Sequence, residues 1–209
     1  MEIDDLRRRI RAGGSDDSTM RERLMPRDET GRLTRPSEAP PGMAPRAGAV
    51  LMLLYPHADD LYLPLTVRTA GLRNHSGEIS LPGGSFDVAD GTLDRTALRE
   101  ATEEIGIVPE TVELISDLTP VWIPVSNFRI TPYVGLTAAR PAFTLATAEV
   151  DAVVEAPLTL LLDEATVQSE VRELRGLLVR VPYFAIGAHK VWGATAIILA
   201  QLVGRLRMA

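Results

Sequence analysis

The feature that most constrains this fold is a run of three local signals between residues 77 and 107. A strand-like "GEISL" leads into the Pro-Gly-Gly turn of "LPGGSFD", and the helix-forming "ALREATEEIGI" follows. Thr92 suits the N-cap of that helix, and Gly106 suits a left-handed residue just beyond its end at Ile105. A chain built this way has to pack one helix against a sheet, beside a loop whose glycines let the backbone approach a ligand closely.

The helix carries an acidic face. At 3.6 residues per turn, Glu100, Glu103 and Glu104 fall within an arc of about 100°. An apolar stripe lies beside them and predicts docking on a sheet: Ala97, Leu98, Ala101 and Ile105. Like charges at this spacing cost roughly 0.2–0.5 kcal/mol per pair, and Arg99, one turn before Glu103, offsets only part of that cost. Mg²⁺ or Mn²⁺ would remove the repulsion, because both prefer carboxylate oxygens. The alternative is a solvated acidic face, and the Gly-Gly loop upstream favours the metal site.

The rest of the chain predicts a mixture of strands and helices. Apolar or alternating segments indicate strands at 47–55, 60–68, 111–124, 128–138 and 149–157, with a hairpin around Gly176. Helical spacing is seen at 3–12, 158–165 and 191–206. Residues 13–46 are rich in Pro, Gly, Asp and Arg, which indicates an arm without packed elements. We therefore expect an α/β (α+β) fold, with an N-terminal helix and arm over 1–46 and one domain over 47–209.

Composition excludes several functions. The chain has no cysteine, so disulfides, thiolate catalysis and zinc–cysteine sites are ruled out. A net charge of −6 argues against a broad grip on nucleic acid. The start "MEIDDLRRRI" has no signal-peptide core, and the apolar "VWGATAIILAQLVG" is interrupted by Gln201 and is too short to cross a bilayer. These features predict a cytoplasmic protein with neither nucleic-acid nor membrane partners.

The stretch "GGSFDVADGTLDRTALREATEEIGI" resembles the Nudix box. Its second half matches the family pattern at every position from Arg99 to Ile107. The first half departs, because one extra residue separates Gly84 from Arg99, and Asp90 or Gly91 stands where the family has a glutamate. That glutamate is usually structural, so the departure concerns the loop more than the metal. The resemblance implies a Nudix α/β/α sandwich with a mixed β-sheet, and Mg²⁺- or Mn²⁺-dependent cleavage of a pyrophosphate within a nucleoside diphosphate derivative.

A longer segment resembles the coenzyme A pyrophosphatase branch of that family. The branch has the longer loop Gly-Gly-x-x-Asp-x-x-Asp and an upstream signature that "PLTVRTAGLRNHSGEISLPGG" largely matches. The matching positions are Thr66, Arg68, Arg73, Gly77, Ile79, Pro82, Gly83 and Gly84, while Pro64 and Leu81 depart from the signature. This resemblance implies hydrolysis of coenzyme A or a derivative to 3′,5′-ADP and 4′-phosphopantetheine.

Candidate roles follow from the residue types and the resemblance together. The expected metal ligands are Glu100, Glu104, Glu103 and the Gly83 carbonyl. Glu103, Glu104 and Glu149 are the candidates for activating water, although Glu149 also suits an ordinary surface glutamate. Arg68, Arg73 and Gly84 are expected to contact substrate, with salt bridges to Asp87 or Asp90 as the structural alternative for the arginines.

Three functional hypotheses stay open from the sequence. The first is a hydrolase of coenzyme A-like substrates, and the second is a Nudix hydrolase of ADP-ribose or NADH. The third is a nucleotide-sensing module that does not cut its ligand, although such modules usually lose box glutamates and this chain keeps all three. In each case the partner is a small nucleotide, and a homodimer is one option for assembly.

Overall fold

The computed structural model describes residues 3–12, 17–69, 78–174 and 176–207. The helices are α1 (Ile3–Ala12), α2 (Asp17–Arg23), α3 (Leu93–Ile105), α4 (Leu158–Leu162) and α5 (Gly193–Arg207). The first strands are β1 (Arg46–His57), β2 (Asp60–Arg68), β3 (Ile79–Ser80), β4 (Gly83–Ser85), β5 (Glu113–Asp117) and β6 (Val121–Ile123). The later strands are β7 (Phe128–Leu136), β8 (Val150–Pro157), β9 (Val167–Leu174), β10 (Leu177–Ile186) and β11 (His189–Trp192).

The main sheet is mixed, as expected. Its central path runs β3-β2-β1-β7-β5, and β4, β6 and β8 pair with β1, β7 and β2 respectively. The long β1–β7 pair is parallel, whereas the other pairs in this sheet are antiparallel. Pro64 lies where β2 pairs only with β8, so its missing N–H removes no ladder hydrogen bond. A smaller antiparallel sheet is ordered β11-β10-β9.

Helices cover both faces of the main sheet and give an α/β/α sandwich. On one face, Ala97, Ala101 and Ile105 of α3 are fully buried against alternate residues of β1 such as Leu51 and Leu53. On the other face, α5 packs with α1 and α2 in the larger of the two apolar cores. None of the helices in the described ranges is long and apolar enough to cross a membrane.

The N-terminal segment is more structured than the sequence analysis expected. Residues 17–23 form α2, and Leu24 and Met25 after it are buried in the larger core, so the expectation of an unpacked arm is wrong there. The composition of residues 13–46 did not indicate this packing on the larger core, because a few apolar side chains among many polar ones suffice to anchor a short helix. The division at residues 46 and 47 stays a prediction.

Two other elements differ from expectation. The segment 111–124 forms two strands, β5 and β6, because Pro120 interrupts the ladder between them. The last helix begins at Gly193, since Val191 and Trp192 belong to β11. The hairpin around Gly176 is confirmed and forms β9 and β10.

Candidate active site

The Gly-Gly loop is held directly against β1. Gly83 and Gly84 lie in β4, opposite Val50 and Ala49 in the antiparallel pairing. A β-carbon on Gly83 would lie only 2.3 Å from the Ala49 carbonyl oxygen, and its φ of +155° is one that residues with side chains rarely adopt. Glycine is therefore required for the backbone to run this close to the neighbouring strand.

The second glycine makes room for a catalytic candidate. A β-carbon on Gly84 would lie 2.4 Å from Cδ of Glu100 and 2.5 Å from each of its carboxylate oxygens. The Glu100 carboxylate thus lies flat against the Gly84 backbone. Any larger residue at position 84 would displace it, which gives Gly84 a defined role in positioning Glu100.

The helix that presents the glutamates begins and ends where its sequence predicts. Thr92 is extended at the N-cap, although its side chain makes no capping hydrogen bond. At the other end Gly106 is left-handed, with φ of 73°, and its N–H donates to the Thr102 carbonyl at 3.0 Å. The two ends fix which helix positions face the loop and which face the sheet.

The three glutamates of α3 occupy different environments. Glu103 is exposed, Glu100 is half-buried, and Glu104 is only 5% exposed. The Glu104 carboxylate accepts a hydrogen bond from the Gly83 N–H, but its Oε2 atom is buried without a hydrogen-bond partner among the described residues. Burial raises the pKa of Glu104 to about 7, and the Glu100 and Glu149 charges add to this rise; the hydrogen bond and the Arg68 charge oppose it.

Arg99 holds the other side of the acidic face. Its guanidinium donates to Asp90 Oδ1 at 2.8 Å, to Glu100 Oε1 at 2.8 Å and to Glu103 Oε2 at 2.9 Å. A further N–H donates to the Ser85 carbonyl at 3.1 Å, so Arg99 ties the helix to the loop. The predicted Arg99–Glu103 pair is therefore confirmed, as one part of a larger network.

Asp90, one of the two residues at the sequence position of the missing box glutamate, is fixed inside the loop by hydrogen bonds. It accepts hydrogen bonds from Thr96 Oγ1 at 2.7 Å and from the Asp87 N–H at 3.2 Å, besides those from Arg99. The Arg99 hydrogen bonds, followed by that from Thr96, lower the pKa of Asp90 to about 2. Asp87 in turn accepts from the Ala89 N–H, which completes a capping box around a short 3₁₀ turn. The extra loop residue is thus accommodated, and the Asp-x-x-Asp spacing was the signal for it.

Glu149 and Arg68 lie beside the acidic helix. The Glu149 charge contributes to raising the pKa of both Glu100 and Glu104, and the Arg68 charge lowers that of Glu104. For Glu100 the largest cause of its raised pKa is burial, which Arg99 opposes. The Glu149 carbonyl also accepts from the Thr69 N–H at 3.0 Å, next to Arg68 at the end of β2. The folded chain therefore brings Glu149 and Arg68 together with the box, whereas Arg73 lies outside the described residues.

The loop that carries Glu149 is anchored on the end of α3. The Ile105 carbonyl accepts from the Thr144 N–H, and the Glu104 carbonyl accepts from the Ala146 N–H, both at 3.0 Å. A β-carbon on Gly106 would lie 2.9 Å from Cβ of Thr144, so the left-handed glycine also leaves space for this loop. Sequence reasoning missed these contacts, because they join residues about 40 positions apart through backbone groups that have no signature.

The donor set suits a hard divalent cation in part. Carboxylate oxygens are the preferred ligands of Mg²⁺ and Mn²⁺, and the unpartnered Glu104 Oε2 beside half-buried Glu100 offers such oxygens. Within the described ranges, however, no three acidic or histidine side chains are grouped for metal binding. Arg99 holds Glu100 and Glu103 on its own side, and Gly83 contacts Glu104 through its N–H, while its carbonyl as a metal ligand stays a prediction. The full predicted ligand set stays a prediction.

A mixed sheet between two helical layers, with a Gly-Gly loop facing an acidic helix, defines a protein of the Nudix class. The model of the NUDIX domain matches residues 45–174, more than half of the chain, and the chain therefore belongs to this family. A solved MutT/nudix family protein from Enterococcus faecalis superposes with a TM-score of 0.52 at 15% identity, covering 97% of this chain and 73% of that one. At this identity the match shows the fold alone.

Two relatives in sequence show how far the similarity extends. "Nudix hydrolase 15, mitochondrial" from Arabidopsis thaliana is 36% identical over 172 residues, which cover 79% of this chain and 60% of the relative. The "Uncharacterized Nudix hydrolase NudL" of Pectobacterium atrosepticum is 38% identical over 173 residues, covering 79% of this chain and 87% of that protein. The chain thus spans about three fifths of the length of the plant relative.

Proposed function

We propose that this chain is a divalent-metal-dependent pyrophosphohydrolase of the Nudix family, and that its substrate is coenzyme A or a derivative of it. The observation that carries the activity is the buried carboxylate of Glu104, whose Oε2 atom has no hydrogen-bond partner among the described residues and whose pKa is raised in part by the Glu100 and Glu149 charges. A buried carboxylate oxygen without a hydrogen-bond donor is costly unless a ligand supplies the missing contact. A solvated acidic face does not account for it.

The residues divide into two groups by environment. Glu100 and Glu104 are the proposed principal ligands of Mg²⁺ or Mn²⁺, with Glu103 joining them when it leaves Arg99, and the Gly83 carbonyl as a backbone ligand. The bound cation would neutralise charge on the phosphates and lower the pKa of a coordinated water. Glu149 is exposed at the end of an anchored loop, which suits a side chain that exchanges protons with water.

The reaction then follows from the positions of these groups. Glu149 takes a proton from the attacking water, whose oxygen forms a bond to one phosphorus of the pyrophosphate. The bond from that phosphorus to the bridging oxygen breaks, and the second phosphate leaves with the bridging oxygen. Arg68 lies close enough to lower the Glu104 pKa, so we assign it to the pyrophosphate oxygens. Arg73 remains a candidate for another phosphate of the substrate.

The substrate class rests on the upstream signature. Its described residues lie next to the proposed metal ligands: Arg68 ends β2, and Gly83 and Gly84 form the loop against Glu100. The products would be 3′,5′-ADP and 4′-phosphopantetheine. Nudix hydrolysis of ADP-ribose or NADH, or nucleotide sensing without cleavage, would use the same fold.

One experiment separates these functions. Purified protein with Mg²⁺ is incubated with coenzyme A, dephospho-coenzyme A, NADH, ADP-ribose and diadenosine tetraphosphate, and products are identified by mass in ¹⁸O-labelled water. We expect coenzyme A to give the highest kcat/KM and one singly labelled product. A tenfold preference for ADP-ribose or NADH would overturn the substrate assignment alone. Binding of nucleotides without cleavage of any of them would overturn the enzymatic assignment.

The matched variants are Glu149→Gln and Glu110→Gln. Glu110 is an exposed glutamate just beyond α3 and outside the acidic cluster. We expect Glu149→Gln to lose at least tenfold in kcat, and Glu110→Gln to keep the wild-type rate. If both variants keep it, Glu149 is a surface glutamate.

A further inference from the structure

The outer edge of the smaller sheet is open. Strand β9 pairs with β10 along its whole length, and no other backbone segment of the described chain pairs with it. Six successive residues from Gln168 are exposed or partly exposed, and Val171 in the middle of the strand is 59% exposed. A straight edge of unpaired N–H and C=O groups, without a proline or a bulge, can accept another strand.

The charges on β9 are arranged symmetrically about Val171. Glu170 precedes it and Arg172 follows it, and both side chains project from the face opposite to that of Val171. Within one chain they form an ion pair, and Lys190 of β11 contacts Glu170 as well. Both side chains remain partly exposed, Glu170 at 26% and Arg172 at 29%.

We propose that a second copy of this chain docks on the β9 edge, antiparallel, with the twofold axis passing through Val171. Two identical strands can pair edge to edge and antiparallel when the twofold axis is perpendicular to the sheet. In every such register, one residue lies on the axis, opposite its own copy. Centring on Val171 places Glu170 opposite the partner's Arg172, twice. Centring on Glu170, Arg172 or Glu173 instead sets like charges opposite each other, which is destabilising. Among the registers centred on residues 168–173, the one centred on Val171 sets opposite charges against each other, and it does so with a second copy of the same strand.

The same register places Val171 against its own copy at the axis. On the same face of β10, Arg180 lies directly opposite Val171, and Leu178, which is 53% exposed, lies opposite Glu173. The product is a six-stranded sheet shared by two protomers. This surface involves none of the residues proposed for hydrolysis, so assembly and activity can be tested separately.

The first test uses the absence of cysteine from the chain. Directly opposed residues in an antiparallel pair have Cα atoms about 4.5 or 5.5 Å apart, which a disulfide can bridge. Val171→Cys should therefore cross-link to its own copy under mild oxidation. Leu178→Cys is the matched control, because its copy would lie three strand spacings away, about 14 Å, and would also be offset by four residues along the strands. Equal cross-linking of the two variants, or of neither at 100 µM protein, would overturn the proposal.

The second test reverses the charges, with mass measured by sedimentation equilibrium. The wild type should approach twice the protomer mass of 22.7 kDa at high concentration. Arg172→Glu should shift the dissociation constant at least tenfold towards monomer, and Glu170→Arg combined with Arg172→Glu should restore the dimer. Val171→Lys should be monomeric, whereas Val125→Lys, at a 65% exposed position in the turn between β6 and β7, should behave as wild type. Melting curves check folding, and a wild type that stays monomeric, or a dimer unaffected by Arg172→Glu, would refute the interface.

Discussion

Replacing Glu104 by glutamine should have opposite effects on stability and on turnover. The carboxylate is 5% exposed, and its pKa rises from an ordinary 4.5 to about 7 in the folded chain. The folded protein therefore holds this proton more tightly than the unfolded chain does. The contribution of Glu104 to the free energy of unfolding is therefore greatest below pH 4.5, falls as the pH rises towards 7, and is level above that.

The size of the effect follows from the pKa shift. This difference in the Glu104 pKa between the folded and unfolded states lowers the free energy of unfolding of the metal-free wild type by roughly 3 kcal/mol at pH 8. Glutamine cannot ionise, so Glu104→Gln escapes that loss. Its amide has a cost of its own, because the NH₂ group would take the place of an oxygen that has no partner among the described residues. That cost does not depend on pH, so the difference between two pH values isolates the charge.

The assay is urea unfolding in excess EDTA at pH 5 and pH 8. The stability of Glu104→Gln minus that of the wild type should be greater at pH 8 than at pH 5 by roughly 2–3 kcal/mol. Glu110→Gln, at an exposed position, should show no such difference between the two pH values. If Glu104→Gln also shows none within 0.5 kcal/mol, Glu104 is not a buried, strained carboxylate and the reasoning fails.

Turnover provides the second half of the test. Loss of a ligand to a catalytic cation removes several kcal/mol of transition-state stabilisation, so kcat should fall by about two to four orders of magnitude. Added Mg²⁺ should raise the melting temperature of the wild type at pH 8 and leave that of Glu104→Gln almost unchanged. A solvated acidic face predicts unchanged turnover. Equal kcat values for Glu104→Gln and Glu110→Gln would therefore remove the acidic helix from the mechanism.

Three further predictions concern the surroundings of Glu104. Gly84→Ala should lower kcat at least tenfold with little change in melting temperature, because the new methyl group displaces the Glu100 carboxylate; unchanged kcat would contradict that contact. Asp90→Asn should lower the melting temperature at pH 7, and the deficit should shrink as the pH falls from about 4 towards 2, because Asp90 is protonated first in the unfolded chain and then, at its lowered pKa of about 2, in the folded protein; a deficit equal at pH 7 and pH 2 would argue against the Arg99 pairing. Arg68→Gln should reduce kcat/KM for coenzyme A and dephospho-coenzyme A by the same factor, whereas a selective loss for coenzyme A would assign Arg68 to the 3′-phosphate.

Local signals account for what the sequence predicted well. The ends of α3 follow from Thr92 and Gly106, and its buried face follows from the spacing of Ala97, Ala101 and Ile105. Each depends on residues within a few positions of one another. The mixed sheet and the two helical layers were also expected, from the strand patterns and the family resemblance, and both are confirmed.

Long-range contacts account for what the sequence could not supply. Glu103 and Glu104 are neighbours of the same residue type on one helix, so the sequence did not show that Glu104 would be buried and Glu103 exposed. Their exposure depends on how the β4 loop covers one side of α3. The anchoring of the Glu149 loop uses backbone carbonyls of α3, which every helix end possesses. The position of α2 depends on the face of α5 that it meets, a surface formed at the other end of the chain.

The balance of charge around α3 links the proposed metal requirement to substrate binding. Among the described residues, the guanidinium groups of Arg99 and Arg68 lie beside five carboxylates of the site. These are the carboxylates of Asp90, Glu100, Glu103, Glu104 and Glu149. When all are ionised, the local charge is about −3, and a nucleotide pyrophosphate is itself an anion. Repulsion would keep such a substrate away unless protons or cations neutralise the cluster. We therefore expect a non-hydrolysable nucleotide analogue to bind metal-free protein more weakly at pH 8 than at pH 5.5, and Mg²⁺ to remove that difference. Equal affinity at both pH values without metal would mean that the substrate does not approach the acidic face of α3.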